Sequence, residues 1–187
     1  LGNNIKNAVK ALVYNDFADK DELINYDLNL DDLLQGNSTG LSGLRIEIDK
    51  SDYILSLKND TGLIKQYPVV FGQNPHDDKL MEGDCCTPEG TFRIKAKYRH
   101  ADWSRFIWFD YPNGESIRKH NEAKRSGIIP SDATPGGQIG IHGVPNGYDF
   151  AINIKWNWTA GCIALKNRDI IEVYDLINIG TKVIIRK

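Results

Sequence analysis

The chain has 187 residues, of which 41% are hydrophobic and 26% charged, the balance of an ordinary globular domain and of neither a disordered nor a fibrous chain. Its 23 basic and 25 acidic residues leave a net charge of −2, so no basic surplus points to nucleic acid. No apolar run approaches a bilayer span, and the three cysteines, an odd number, do not make a complete disulfide framework.

The chain begins at Leu1 with no charged-then-apolar leader and is read as a processed or trimmed form, so its compartment has to be argued from chemistry. Residues 1–40 are predicted to form a helical appendage. Ile5, Val9 and Leu12 make one apolar stripe, with Ala8 beside it. Asp19 or Asp21 caps a second helix carrying Leu23 and Ile24, and Asp31-Asp32-Leu33-Leu34 forms a short third piece ending at Gly36. The stretch Gly36-Asn37-Ser38-Thr39-Gly40 is the linker. So small a helical piece cannot bury a core alone and is expected to pack on residues 41–187.

From residue 41 the period changes to two. Leu44, Ile46 and Ile48 alternate with Arg45, Glu47 and Asp49, and Tyr53, Leu55 and Leu57 repeat the pattern before the Asn59-Asp60-Thr61-Gly62 turn. Leu63 to Phe71 supplies a third strand of an antiparallel meander. Further strands are predicted at 90–98, 105–110, 138–141 and 181–186. Glu115 to Arg125 reads as a charged surface helix and Asp169 to Ile177 as an amphipathic one. The fold class is mainly β, closest to a β-sandwich, with peripheral helices.

The chemistry concentrates near the C-terminus. Gly161-Cys162 offers a thiol with an unobstructed amide, and Gly137-Gln138-Ile139-Gly140-Ile141-His142-Gly143 places a histidine at a strand end. Together they make a candidate thiol–imidazole pair, in which the imidazole promotes the thiolate. Weighed against this, a single cysteine is most often an inert small hydrophobe. His76, His100 and His120 are expected to face solvent. Cys85-Cys86 with His76 has no metal-ligand spacing, so no metal is expected. Trp108 is assigned to the core, while Trp156 and Trp158 stay undecided between core and site.

Three blocks then add a resemblance. Glu82-Gly83-Asp84, Thr87-Pro88-Glu89-Gly90-Thr91-Phe92 and the His142…Thr159-Ala160-Gly161-Cys162-Ile163 segment resemble, in order, the L,D-transpeptidase (YkuD-type) catalytic domain of bacterial cell-wall enzymes. Two positions depart from its pattern: Ala160 stands where the family has a histidine, and Ala164 where it often has Arg or Asn.

The resemblance implies a β-sandwich-like catalytic domain over 41–187 and an envelope location. Cys162 would attack a peptidoglycan stem peptide, with His142 as base. The amides of Gly161, Cys162 and Ala160 would stabilise the oxyanion, and the Gly143 carbonyl would orient the imidazole. Thr159, Trp158 and Asn157 would lie on the substrate side. The acyl group would pass to an amine acceptor or to water, and carbapenem-type β-lactams would inhibit; no cofactor is implied. The alternatives are a hydrolytic L,D-carboxypeptidase or amidase variant and a non-catalytic peptidoglycan-binding module.

Overall fold

The computed structural model describes residues 23–34 and 41–187. The expected stripe at Ile5, Val9 and Leu12, the Asp19/Asp21 cap and the linker lie outside the described residues. Leu23 and Ile24 fall in a turn, and a single short helix, α1 (Leu30–Leu34), comes next.

The meander forms where period two predicts it: β1 (Arg45–Asp49), β2 (Ile54–Asn59) and β3 (Gly62–Pro68) pair antiparallel in sequence order. On β1, Ile46 and Ile48 are buried, while Arg45 and Glu47 stay on the wet face, where Glu47 accepts from Arg45 and Lys58 at 2.9 Å each. The expected packing of the N-terminal piece on residues 41–187 is met by residues 23–34. Tyr26 and Leu30 enter the core. The Gln66 amide, on the β3 edge, donates to the Ile24 carbonyl at 3.0 Å. That contact covers a strand edge that would otherwise present unpaired backbone groups.

The remaining elements are β4 (Gly90–His100), β5 (Ser104–Phe109), α2 (Gly114–Arg125), β6 (Gly140–His142), α3 (Phe150–Asn153), β7 (Ile163–Ala164), α4 (Asn167–Leu176) and β8 (Lys182–Arg186). Among the described residues the strands run in one sheet, ordered β3-β2-β1-β8-β4-β5-β6-β7. β4 serves both halves: Gly90 to Arg93 pair with β8, and after an irregularity at Ile94/Ala96 the rest pairs with β5. The two ends meet where Val70, just past β3, exchanges both backbone hydrogen bonds with Ala164 of β7, at 3.0 and 2.9 Å. The sheet thus curls around one core that takes Ile46 and Leu55 from one half and Ile107, Ile141 and Ile163 from the other. The mainly β fold class holds, with the sandwich character arising from a bent and nearly closed sheet.

The helices cover this frame. Asn113 caps α2, its Oδ1 accepting from the amides of Glu115 and Ser116 at 3.1 Å. α4 buries Ile170 and Val173, and its buried Asp169 accepts a 2.9 Å hydrogen bond from the Tyr26 hydroxyl. β7 and α3 had no predicted counterpart.

Phe92 is fully buried and stacks on Phe109 at 6.0 Å. Phe92→Ala is expected to cost about 3–5 kcal/mol in urea unfolding, whereas Trp156→Ala, at a half-exposed position, should stay within about 0.5 kcal/mol.

Candidate active site

β6 and β7 run parallel, pairing Ile141 with Ile163 and His142 with Ala164. Cys162 precedes β7 by one residue, beside Gly140. In a parallel pair, residues in register point to the same side, so Cys162 and His142 are diagonal neighbours on one face. The structure therefore brings the two expected residues to one place.

The loop before Cys162 is held from within. The Thr159 hydroxyl is buried, donates to the Cys162 carbonyl at 2.7 Å and accepts from the Gly161 amide at 3.1 Å. Asn157 donates to the Tyr53 hydroxyl and accepts from the Phe71 amide, both at 2.9 Å. Both side chains are thus engaged in hydrogen bonds within the protein. Both residues shape the loop. Gly161 has φ +138°, and a Cβ there would lie 2.6 Å from the Cys86 carbonyl oxygen, so only glycine lets the loop rest on the 84–86 turn.

That turn is what the Gly-Asp block builds. The Asp84 carboxylate accepts from the amides of Leu80, Met81 and Cys86 at 2.8–3.0 Å and from the buried Lys79 ammonium at 2.7 Å. These bonds hold its carboxyl below the usual range against the opposing effect of burial. Thr87 accepts from the Gly72 amide at 3.1 Å, and Glu89 pairs with the buried Lys50 at 2.8 Å. The motif residues upstream of the site are thus its bracing. Cys86 is buried and its thiol is pushed up to about 11 by desolvation, while Cys85 is half-buried; both are free thiols.

His142 is enclosed by rings. Trp103 stacks on it at 4.5 Å and 23°, Phe106 at 5.8 Å and 12°, and Trp158 meets it edge-on at 5.6 Å. Its Nδ1 lies 2.7 Å from the Gly143 carbonyl oxygen. A carbonyl only accepts, so Nδ1 carries the proton and Nε2 carries the lone pair. Burial holds the imidazole down to about 4; the Gly143 hydrogen bond opposes the shift and the nearby His100 adds to it. A side chain on Gly143 would collide with Asn167 Oδ1 at 2.2 Å and the Trp103 carbonyl at 2.7 Å.

Burial pushes the Cys162 thiol up to about 11, against a Gly140 backbone hydrogen bond and the Lys79 charge. Its S–H donates to the Gln138 carbonyl at 3.5 Å and not to the imidazole. The resting pair is therefore a neutral thiol beside a neutral imidazole.

Cys162 opens into a cleft of about 300 Å³ lined by Tyr98, His100, Trp103, Phe106, Trp108 and Gln138. Three sequence expectations change here. His100 lines the cleft, stacked on Trp103 at 4.4 Å and 10°, and does not simply face solvent. His120 is buried on α2, its Nδ1 2.7 Å from the Leu80 carbonyl. Trp108 is only half-buried and lines the cleft, with the Lys95 ammonium 3.7 Å from its ring centre. His76 is exposed as expected, and no group of three or more potential metal ligands occurs among the described residues.

Residues 43–185 match the family model described as the L,D-transpeptidase catalytic domain. Among solved structures, the helical cell shape determining protein Pgp2 from Campylobacter jejuni is similar at TM-score 0.56 and 23% identity, over 85% of this chain and 55% of that one. Bd1075 from Bdellovibrio bacteriovorus is similar at TM-score 0.54 and 22% identity, over 78% and 48%. L,D-transpeptidase 3 from Mycobacterium tuberculosis, solved with a faropenem-derived adduct, is similar at TM-score 0.52 and 13% identity, over 78% and 60%. The chain spans about half the length of the first two. No curated protein sequence matches it.

A neutral resting thiol has a measurable signature. The rate of iodoacetamide alkylation at Cys162, monitored by peptide mass, is expected to rise about tenfold per pH unit from pH 7 to 10. A rate already level at neutral pH would indicate a preformed thiolate.

Proposed function

The chain belongs to the L,D-transpeptidase catalytic-domain family, and we propose that it acts on peptidoglycan stem peptides in the bacterial envelope through a Cys162 acyl-enzyme. The observation that carries this reading is the tautomer of His142, whose Nδ1 proton is committed to the Gly143 carbonyl. Nε2 is thereby left as a base on the face that Cys162 shares.

The steps start from the neutral pair. The thiol leaves its weak bond to Gln138, and His142 Nε2 takes its proton as the sulfur attacks the carbonyl joining the third stem residue to D-alanine. The new carbon–sulfur bond makes a tetrahedral oxyanion. The Gly161 amide already donates to Thr159, so stabilisation of that oxyanion falls to the amides of Cys162 and Ala160. One such donor typically contributes about 10²–10³ in rate. The imidazolium Nε2–H then protonates the departing amine, the carbon–nitrogen bond breaks and a thioester remains. An amine or water, deprotonated by the same Nε2, releases the acyl group.

Hydrolysis is the second reading within this class, and Ala160 favours it. It is exposed beside the nucleophile and supplies only a methyl where the family pattern has an imidazole, so it offers nothing to hold an acceptor amine. Trimming of stems fits wall remodelling, the theme suggested by a relative in fold described as a helical cell shape determining protein. A non-catalytic wall-binding module would give no reason for a bare imidazole nitrogen beside a thiol.

Incubation with a carbapenem is expected to add one adduct by intact mass to the wild type and none at that position to Cys162→Ala. A tetrapeptide stem is expected to release D-alanine. Incorporation of an added amine would assign transfer, and release without incorporation would assign hydrolysis. Absence of both adduct and release would contradict the reading.

A further inference from the structure

The cleft that receives Cys162 is rich in donors and free of acids. Alternate residues of β4 (Tyr98, His100) and β5 (Phe106, Trp108) lie on the face that carries His142, and none of the cleft-lining residues is Asp or Glu. The Asp102 amide donates to His100 Nδ1 at 3.2 Å. An N–H can only donate, so Nδ1 is the acceptor nitrogen and the neutral ring carries its proton on Nε2. That Nε2–H has no hydrogen-bond partner among the described residues. The Trp108 indole N–H is likewise buried without a partner among them, and the Lys95 ammonium lies 3.7 Å from the same indole ring. Gln138 adds a side-chain amide to the lining. Asp102 is exposed, and it is its backbone that meets His100. A half-buried His100 whose Nε2–H is free to donate, a buried Trp108 N–H without a partner and a cation close by suit an anionic ligand.

We infer that His100 is a specificity-determining residue that binds, through Nε2–H, the free carboxylate of the D-residue released from the stem. This rests on the reaction proposed above and names which end of the substrate enters the cleft. The terminal carboxylate is the anion common to stems with different third residues. The stack on Trp103, which also stacks on the His142 ring, fixes the donor relative to the base. A stem lacking that carboxylate would forfeit the hydrogen bond from His100, which makes the cleft discriminate against chains that continue past the D-residue.

Two substitutions separate the donor from the ring. His100→Phe keeps an aromatic ring against Trp103 and removes the N–H; His100→Gln keeps an N–H at a similar reach and removes the ring. Release of the terminal D-residue is measured on a tetrapeptide stem with a free C-terminal carboxylate and on its C-terminal carboxamide.

For the wild type, KM is expected to be about tenfold or more higher on the carboxamide. His100→Phe should raise KM on the acid by about the same factor, with kcat falling less than about threefold, and add no further loss on the carboxamide. His100→Gln should recover most of the KM on the acid. Equal losses of His100→Phe on both substrates, or none on either, would overturn the inference and leave His100 as packing for Trp103. If the wild type releases nothing from any stem, the reaction itself is wrong and this assignment falls with it.

Discussion

The parallel pairing of β6 with β7 is the constraint on which the site depends. It is short, since β7 is only Ile163–Ala164, yet it sets the face on which the thiol and the imidazole meet. A slip of one residue would turn Cys162 away from His142 and put the apolar neighbours Ile141 and Ile163 on the wet side. Those two side chains are fully buried in the core, so the register that places the chemistry is the one that hydrophobic burial selects. The closing bridge from Val70 to Ala164 and the hydrogen bond from Gln73 to the Thr159 carbonyl, at 3.0 Å, fix the same segment from its other side.

Electrostatics derive from that placement. Three aromatic rings around His142 strip it of water, and the same enclosure raises the cost of a thiolate at Cys162. Both groups are pushed towards their neutral forms. In the proposed reaction, a base whose proton affinity is lowered by burial, with its tautomer set by the Gly143 carbonyl, would accept the thiol proton only as the sulfur commits to attack. Charge would then appear on a substrate oxygen near backbone amides. The protein's part is chiefly geometric: Thr159, Gly161 and the Asp84-centred turn hold the loop so that little needs to move.

Much of this was legible in the sequence. β1 and β2 announce themselves because one face is wet and the other buried, which gives clean alternation, and Cys162 with His142 stood out through the resemblance and through the glycines beside them. β7 carries no such signal: two apolar residues, both fully buried, have no period to read. His100 and Trp103 come to the site through the 101–103 turn, which folds one strand back on the next; spacing in sequence does not encode that stacking. His120 could have been found. Ser116, His120 and Ala123 recur at helical spacing as the buried stripe of α2, although the surrounding charges drew the eye to the wet face. The loop-bracing hydrogen bonds of Thr159 and Asn157 were not legible either, because a motif shows which residues gather and not which atoms they bond.

The central claim is that the resting site holds a neutral imidazole with a bare Nε2 beside a neutral thiol. Nitrogen-15 NMR of the His142 ring reads this directly, with the signal assigned through a His142→Gln variant. At neutral pH the account predicts a protonated Nδ1 and an unprotonated Nε2, persisting down to about pH 5 since burial holds the ring down to about 4. Two protonated ring nitrogens at pH 7 would mean that the pair rests as thiolate and imidazolium, and would contradict it.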